Sequence, residues 1–88
     1  MKTFHLVIVS PEKQLYDGQV DSVVLPGESG NFQILVNHAP LISSLVKGQI
    51  KYTAQGDTHL LPIKEGFVEI NNNQISVCVE LEKTSARR

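Results

Sequence analysis

Residues 26–41, with the sequence P-G-E-S-G-N-F-Q-I-L-V-N-H-A-P-L, decide the fold. Gly27 and Gly30 open the stretch as a loop, because glycine takes positive φ and leaves room for another backbone. A strand is predicted over residues 31–36, where polar side chains alternate with Phe32, Ile34 and Val36. Residues 37–40 form a second turn, which Pro40 stiffens by holding the residue before it extended. Two stiff polar turns at opposite ends of one strand suit a protein that presents edges to partners.

Short apolar runs separated by turn signals continue on both sides of this stretch. They predict further strands at residues 3–9, 19–25, 41–46, 49–54, 58–63, 65–70 and 74–80. Residues 41–46 are also compatible with a turn of helix, but a strand is favoured because only six residues separate Pro40 from Lys47. Asp17 and Gly18 predict a hairpin turn, since both residues tolerate positive φ. Two more turns are expected at residues 55–57 and 71–73, and Pro62 indicates an edge or the end of a strand.

The whole pattern predicts one all-β domain. No helical period persists along the chain, and turn signals recur about every ten residues, as in a sandwich or barrel. Residues 1–80 are assigned to this domain, and residues 81–88 to a short polar tail without an apolar stripe. A chain of 88 residues supports one domain with a modest core.

Composition excludes several classes of function. A formal net charge of −1 leaves no basic footprint for nucleic acid or for an anionic membrane. The single cysteine, Cys78, excludes an internal disulfide framework and fits a reducing compartment. No signal peptide and no membrane span are expected, since charged and polar residues follow Met1 closely and apolar runs are short. We therefore expect a cytosolic protein, or one held on a membrane complex by other subunits without inserting into lipid.

Neither catalysis, a cofactor nor a metal site is predicted. The glycine loop lacks the helix of a phosphate loop, so a structural turn or a protein contact is expected there. His5, His38 and His59 lie in separate segments without a close Cys or His partner. His38 is expected to hydrogen-bond within its turn or to contact a partner, and Cys78 to fill space on a second covered face. Because folding brings distant residues together, chemistry at a histidine stays an open alternative here.

Several apolar side chains lie opposite the positions that are expected to face the core. They are Val7, Val9, Val23, Leu25, Leu35 and Leu60. Some of them are expected to turn inward in a sandwich. The remainder predict an exposed apolar patch, which on a small domain commonly marks a partner site.

The ordered set of these stretches resembles the epsilon subunit of F-type rotary ATP synthases, which is called delta in mitochondria. The family's Gly-x-x-Gly loop matches at Gly27 and Gly30, and its His-Ala-Pro-Leu turn matches at residues 38–41. Residues 66–70 resemble its Gly-Gly-Phe-x-Glu-Val strand, with Glu65 in place of the first glycine. Further pieces resemble the family's opening and its Gly-x-Ile strand start, at residues 4–6, 9–12 and 47–50.

The resemblance implies a flattened β-sandwich of about ten short strands in two sheets. It implies a non-catalytic rotor subunit that joins the gamma subunit of the central stalk to the membrane c-ring, and so supports coupling of proton flow to ATP synthesis. On the c-ring side it implies contacts by Glu28, Ser29, Gly30 and Asn31, with His38 near the same lower edge. On the gamma side it implies contacts by the outer face near Ser10 and by Leu41, Ile42, Ser43 and Ser44.

The same resemblance implies a location and an absence of nucleotide binding. The protein is expected at the cytoplasmic face of a bacterial inner membrane, held peripherally through other subunits. Most family members continue into a two-helix hairpin that inhibits ATP hydrolysis and in some members binds ATP. Only residues 81–88 follow the last predicted strand, so no ATP binding is expected of this chain.

Two other classes of protein remain as alternatives. A free-standing β-sandwich that binds carbohydrate or another ligand needs a concave face of exposed aromatic side chains. The aromatic residues are Phe4, Tyr16, Phe32, Tyr52 and Phe67, and most are expected in the core. A small β-barrel hydrolase needs a clustered nucleophile, base and acid, and no local motif supplies them.

Overall fold

The computed structural model describes residues 2–82, which form eight β-strands. In chain order they are β1 Phe4–Val9, β2 Gln14–Val20, β3 Ser22–Gly27, β4 Gly30–Ile34, β5 Leu41–Leu45, β6 Gly48–Ala54, β7 Asp57–Asn71 and β8 Gln74–Leu81. The predicted all-β class is confirmed. Most of the predicted tail, from residue 83 onward, lies outside the described residues. Over the described range, no helix is long and apolar enough to cross a membrane.

The strands form one continuous hydrogen-bonded network, folded into two layers around a shared core. Along the network the order is β2-β1-β8-β7-β5-β3-β4, and β6 pairs with both β3 and β7. The first layer contains β2, β1, β8, β5 and the C-terminal half of β7, and the second contains β4, β3, β6 and the N-terminal half of β7. The sandwich is confirmed, but it has eight strands in one network, because β3 and β7 pair with strands of both layers.

Strand β7 is a single strand of 15 residues, where the sequence pattern predicted two. Its N-terminal half pairs with β6, and its C-terminal half lies between β5 and β8. The change of partner coincides with a register shift between Ile63 and Glu65. The extra residue of this bulge, Lys64, lets the strand change direction without interrupting its extended backbone. Pro62 pairs with Gln49 of β6, and on its other side its carbonyl accepts a hydrogen bond from Glu82 N–H at 3.4 Å, where the pairing with β8 ends. Pro62 therefore lies next to the part of the strand that is an edge, in agreement with the prediction.

The core consists of apolar side chains contributed by all eight strands. The buried residues are Phe4, Leu6, Ile8, Val20, Val23, Leu25, Ile34, Leu45, Ile50, Ile63, Val68, Ile70, Ile75, Val77 and Val79. They occupy alternate positions along their strands, because successive side chains of a strand point to opposite faces. Full burial of one such side chain contributes roughly 1.5–3 kcal/mol, so the core dominates the stability of this small sandwich.

The hairpin turn predicted at Asp17 and Gly18 is wrong. Both residues lie inside β2, opposite Val7 and Leu6 of β1. The glycine serves close packing instead of a turn, since a Cβ at Gly18 would lie 2.9 Å from the hydroxyl oxygen of Tyr16. The chain instead reverses between β1 and β2 at residues 10–13, where Ser10 N–H donates to the Lys13 carbonyl at 2.8 Å.

A bend at Asp21 also divides the predicted strand 19–25 between β2 and β3. Asp21 N–H donates to the Thr53 carbonyl at 2.7 Å, which fixes the bend against β6. The other predicted turns are present as two-residue hairpins. Gln55 and Gly56 have φ of 53° and 84°, and Asn72 and Asn73 have φ of 53° and 60°. Positive φ at both central residues matches the right-handed twist of paired strands.

Candidate partner-binding surface

The glycine loop is a tight hairpin between β3 and β4. Gly27 and Gly30 are opposite each other in the register, and Glu28 and Ser29 are exposed at the tip. Gly30 has φ of 120°, a conformation that residues with a side chain rarely adopt. At Gly27 a Cβ would lie 2.8 Å from the ring of Phe32. Gly30 is thus required by its backbone conformation and Gly27 by the close approach of Phe32. Together the two glycines fix the position of the polar side chains of Glu28 and Ser29.

The base of this hairpin is fixed to the connection between β5 and β6. Pro26 is buried, and its carbonyl accepts a hydrogen bond from Val46 N–H at 2.9 Å. A Cβ at Gly48 would lie 2.8 Å from the Cβ of Pro26, so the backbone of Gly48 packs closely against the proline ring. As predicted, a strand follows the loop and not a helix, so the loop lacks the geometry of a phosphate site.

The fold brings the loop next to part of the predicted gamma-side segment. One groove is lined by residues 27–32 together with Ile42, Ser43 and Ser44. Within that segment, Ile42 has an exposed fraction of 75%, whereas Leu41 is half-buried against the core. The predicted c-ring region and part of the predicted gamma region thus lie next to each other along this groove. Ile42 is the most exposed apolar side chain of the gamma-side segment.

His38 lies beyond the opposite end of β4 from the glycine loop, and not at the same edge. Its Nδ1 lies 2.8 Å from the Ala39 carbonyl oxygen, and its N–H donates to the Leu35 carbonyl at 3.2 Å. This confirms the predicted hydrogen bonding within the turn. At about 3.3 Å per residue, β4 separates the two turns by more than 10 Å. A contact by His38 would therefore involve a surface other than the loop tip.

The turn that contains His38 is held by the hairpin between β7 and β8. Asn37 N–H donates to Asn73 Oδ1 at 2.6 Å, and Asn73 Nδ2 donates to Asn37 Oδ1 at 3.0 Å. Asn37 also has a positive φ, of 66°. The two turns therefore support each other through a reciprocal pair of hydrogen bonds.

The outer face of the first layer carries a row of side chains that runs across four strands. Val9 pairs with Cys78, Cys78 with Phe67, and Phe67 with Ser44. Phe67 has an exposed fraction of 51%, although most aromatic side chains were expected in the core. The strict alternation with buried Val68 and Ile70 is the signal that would have placed Phe67 outside.

Ser10 lies beside the same row. It lines one groove together with Phe67 and Cys78. Cys78 is only partly buried, so it fills space on an outer face that remains open in part. Ser10 and Ser44, predicted gamma-side residues from opposite parts of the sequence, are thus on one face, with Phe67 and Cys78 between them.

Some of the apolar residues that were predicted to lie opposite the core are buried, as expected of a sandwich, and others are exposed. Val23 and Leu25 turn inward and are fully buried. Leu35 and Leu60 remain exposed, with fractions of 51% and 57%. Both belong to the second-layer segments, away from Phe67, so the exposed apolar surface is not one patch.

Folding also joins one histidine to a distant carboxylate. His5 Nε2 lies 2.5 Å from Asp17 Oδ1, and His5 Nδ1 lies 3.1 Å from Gln74 Oε1. The bond to Asp17 and then the bond to Gln74 raise the pKa of His5, against a smaller opposing effect of burial. Because both ring nitrogens face side-chain oxygens, neither is placed to activate a nucleophile. This arrangement links β1 to its two neighbouring strands.

Metal ligation has no comparable support within residues 2–82, where no three His, Cys, Asp or Glu side chains converge. The aromatic rings of Tyr16 and Tyr52 lie 4.6 Å apart between centroids, and the His59 ring stacks on Tyr52 at 5.1 Å. Burial, and secondarily the Tyr16 phenol, raises the pKa of Tyr52. These rings pack where β2 and β6 meet, so their role in the described structure is to join the two layers.

Known proteins resemble this chain in sequence over nearly its whole length. The ATP synthase epsilon chain of Desulfitobacterium hafniense (strain DSM 10664 / DCB-2) is 40% identical over 85 residues, which cover 97% of this chain and 64% of the relative. The ATP synthase epsilon chain of Gloeobacter violaceus is 46% identical over 70 residues, which cover 80% of this chain and 53% of the relative. This chain thus spans roughly three fifths of the length of such relatives.

Solved structures share the fold at low sequence identity. A chain in the structure of the Euglena gracilis mitochondrial ATP synthase, OSCP/F1/c-ring, superposes with a TM-score of 0.78 and 17% identity, covering 92% of this chain and 51% of that chain. A chain in the Tetrahymena thermophila mitochondrial ATP synthase central stalk and c-ring has a TM-score of 0.74 and 14% identity, covering 86% of this chain and 62% of that one.

The family model described as the ATP synthase, Delta/Epsilon chain, beta-sandwich domain matches residues 3–82. That range includes every strand of the structure, the glycine hairpin and the outer face with Phe67. The chain therefore belongs to the family of ATP synthase delta and epsilon chains, whose β-sandwich domain it contains.

Proposed function

We propose that this chain acts as a non-catalytic rotor component of an F-type ATP synthase. In this role it joins the gamma subunit of the central stalk to the c-ring, and it supports the coupling of proton flow to ATP synthesis. It is attached to the membrane complex peripherally, at the cytoplasmic face of a bacterial inner membrane. Membership of the family supports the role, and the bacterial origin of the relatives supports the location.

The observation that carries the proposal is a stiff hairpin beside an apolar outer face. The tip residues Glu28 and Ser29 are held by two glycines that tolerate little change. Ile42 and Phe67 expose apolar side chains on the outer face of the sheet. The regular register of β5 and β7 keeps them there, because successive side chains of a strand point to opposite faces. Exposed apolar groups on a small domain mark protein contacts, and a polar hairpin beside them is suited to a second contact.

The test is made in the assembled enzyme, in inverted membrane vesicles from the host. Glu28→Lys together with Asn31→Lys changes the charge of the loop by +3 and leaves the core untouched. We expect ATP hydrolysis to continue while proton pumping per ATP hydrolysed falls, because the loop no longer matches the c-ring. Asp57→Lys together with Gln55→Lys is the control, with the same charge change on the β6–β7 hairpin. Full coupling in the loop variant, equal to that of the control, would remove the loop from the ring interface.

No specific observation favours the carbohydrate-binding alternative. Among residues 2–82, Phe67 is the one phenylalanine or tyrosine whose side chain is exposed, so the described surface lacks an aromatic platform. Purification of the tagged chain from solubilised host membranes separates the two classes. We expect gamma and c subunits to co-purify with it, whereas their absence would contradict the rotor role.

A further inference from the structure

The outer face of the first layer contains an apolar groove with an acidic mouth. Its lining residues come from the end of β1, from β7 directly after the bulge, and from β8. They include Val9, Ser10, Phe67, Cys78 and the two carboxylates of Glu65 and Glu80. The groove thus combines a predominantly apolar lining with two carboxylates and no cationic side chain.

Glu65 and Glu80 are cross-strand partners in the register of β7 and β8. Like charges placed directly opposite each other destabilise a sheet. Both residues are exposed, and within residues 2–82 neither forms a salt bridge with a lysine or arginine. A cation placed between these two carboxylates would therefore be attracted by both.

We infer that the groove receives a lysine or arginine side chain of the neighbouring rotor subunit. The aliphatic stem packs on Phe67 and Val9, and the cationic head lies between the carboxylates of Glu65 and Glu80. Lysine and arginine commonly bury their methylene stems while their charge stays at a polar rim. An aromatic ring such as Phe67 also attracts a cation that lies over its face.

The inference rests on the proposed function and names the chemistry of the gamma contact. It connects with the predicted gamma side through Ser10, which lines the groove, and through Ser44, which pairs with Phe67. The groove is also close to the glycine hairpin, since Gly66 pairs with Leu45 and Leu45 pairs with Gly27. A partner that fills the groove would therefore lie beside the loop that is proposed to contact the ring.

Cys78 provides a direct reporter of occupancy, because it lines the groove and the chain has one cysteine. The experiment measures its alkylation by N-ethylmaleimide in the isolated chain and after addition of the host's gamma subunit. We expect alkylation to slow by more than about fivefold in the complex, since a docked side chain excludes the reagent. An unchanged rate in a complex that demonstrably forms would overturn the inference and leave the rotor function standing.

The second measurement tests the acidic mouth. Glu65→Gln combined with Glu80→Gln should weaken binding of the gamma subunit by about three- to tenfold at low salt, as expected for exposed ion pairs. The loss should shrink as salt rises, because salt screens exposed charges. Asp21→Asn combined with Asp57→Asn removes the same charge at the far end of β6, outside the groove and away from Ile42, and we expect binding within about twofold of wild type.

The isolated double variant separates binding from folding. Its midpoint of unfolding should equal or exceed that of wild type, because the substitution removes two opposed like charges. Equal affinity and equal salt dependence for both double variants would overturn the inference. Failure of the wild-type chain to bind the gamma subunit would overturn both this inference and the rotor role. Faster alkylation after replacement of Lys83, Arg87 and Arg88 by serine would identify the chain's own basic segment as the occupant, and would also overturn it.

Discussion

Gly27 and Gly30 differ in why they exclude a side chain, and this difference is measurable. At Gly30 nothing lies within 4 Å of an added Cβ, so the penalty for Gly30→Ala comes from the φ of 120° alone. We expect a loss of about 1–3 kcal/mol in the free energy of unfolding. At Gly27 the added Cβ meets Phe32, so Gly27→Ala destabilises by displacing a packed ring.

Urea denaturation of the purified chain measures both effects. Combining Gly27→Ala with Phe32→Leu should recover part of the loss at Gly27, whereas Phe32→Leu should not rescue Gly30→Ala. Ser29→Ala is the matched control in the same turn, with an expected change within about 0.5 kcal/mol. A Gly30→Ala chain as stable as wild type would show that the backbone of the loop relaxes without strain.

The link from His5 to Asp17 predicts a stability that depends on pH. The folded pKa of His5 is raised, and the unfolded pKa is about 6.5. The stabilisation is therefore fully present below about pH 6.5 and is lost as the pH rises through the folded pKa. Asp17 is the charged residue that faces His5 from β2, and the uncharged Gln74 faces it from β8.

We expect Asp17→Asn to destabilise the chain more at about pH 5.5 than at about pH 9, by less than about 1 kcal/mol because the pair is partly exposed. Thermal unfolding at the two pH values measures this difference, and a proton NMR titration of His5 measures its pKa. Asp57→Asn, at an exposed turn, is the control. A His5 pKa that is no higher in wild type than in Asp17→Asn would contradict the assignment of this bond.

At the scale of elements, the hairpin between β7 and β8 supports a second turn through one side chain. Asn72 and Asn73 both have positive φ, but only Asn73 bonds to Asn37. Glycine keeps the backbone conformation at either position and removes the side chain. We expect Asn73→Gly to lower the free energy of unfolding by about 1–2 kcal/mol more than Asn72→Gly. Chemical denaturation of the two variants measures the difference, and equal stabilities would show that the bonds between the turns contribute nothing.

The strands that the sequence predicted well are those with strict alternation. In β6 and β8, polar and apolar residues alternate without interruption, and the structure buries Ile50, Ile75 and Val77 as expected. The wrong predictions lie where a residue typical of turns is present because of a contact with another part of the fold. Gly18 suggested a turn, but its small size is explained by the ring of Tyr16. Pro62 and Gly66 suggested a break in β7, whereas the strand continues through a bulge at Lys64.

At the scale of the whole molecule, the pairing predicts an order of amide protection. Val68 and Ile70 lie in the half of β7 that is paired on both sides, by β5 and β8. Thr58 and Leu60 lie in the half that pairs with β6 alone. Since exchange follows local opening, we expect the amides of Val68 and Ile70 to exchange much more slowly than that of Leu60. Hydrogen exchange followed by NMR measures this order, and uniform protection along β7 would contradict it.

Only the local parts of the candidate surface could be predicted from the sequence. The exposed tip at Glu28 and Ser29 follows from local turn chemistry, and it was predicted. The groove between Glu65 and Glu80 joins residues that are 15 positions apart in sequence, and their pairing depends on the bulge in β7. The hold on the turn that contains His38 likewise depends on the bond from Asn37 to Asn73, 36 positions further along the chain. Such relations are set by the order of strands, which no short stretch encodes.

Strand β7 has a mechanical consequence for a domain that is proposed to join the gamma subunit to the c-ring. One unbroken backbone passes through both layers, so a load that slides one layer over the other pulls along covalent bonds before it separates rows of hydrogen bonds. An extended chain has almost no slack left to release. The continuity of this strand therefore makes the sandwich resist shear between its two layers. Within the domain, the bulge at Lys64 is the point where bending is easiest, because pairing is locally interrupted there.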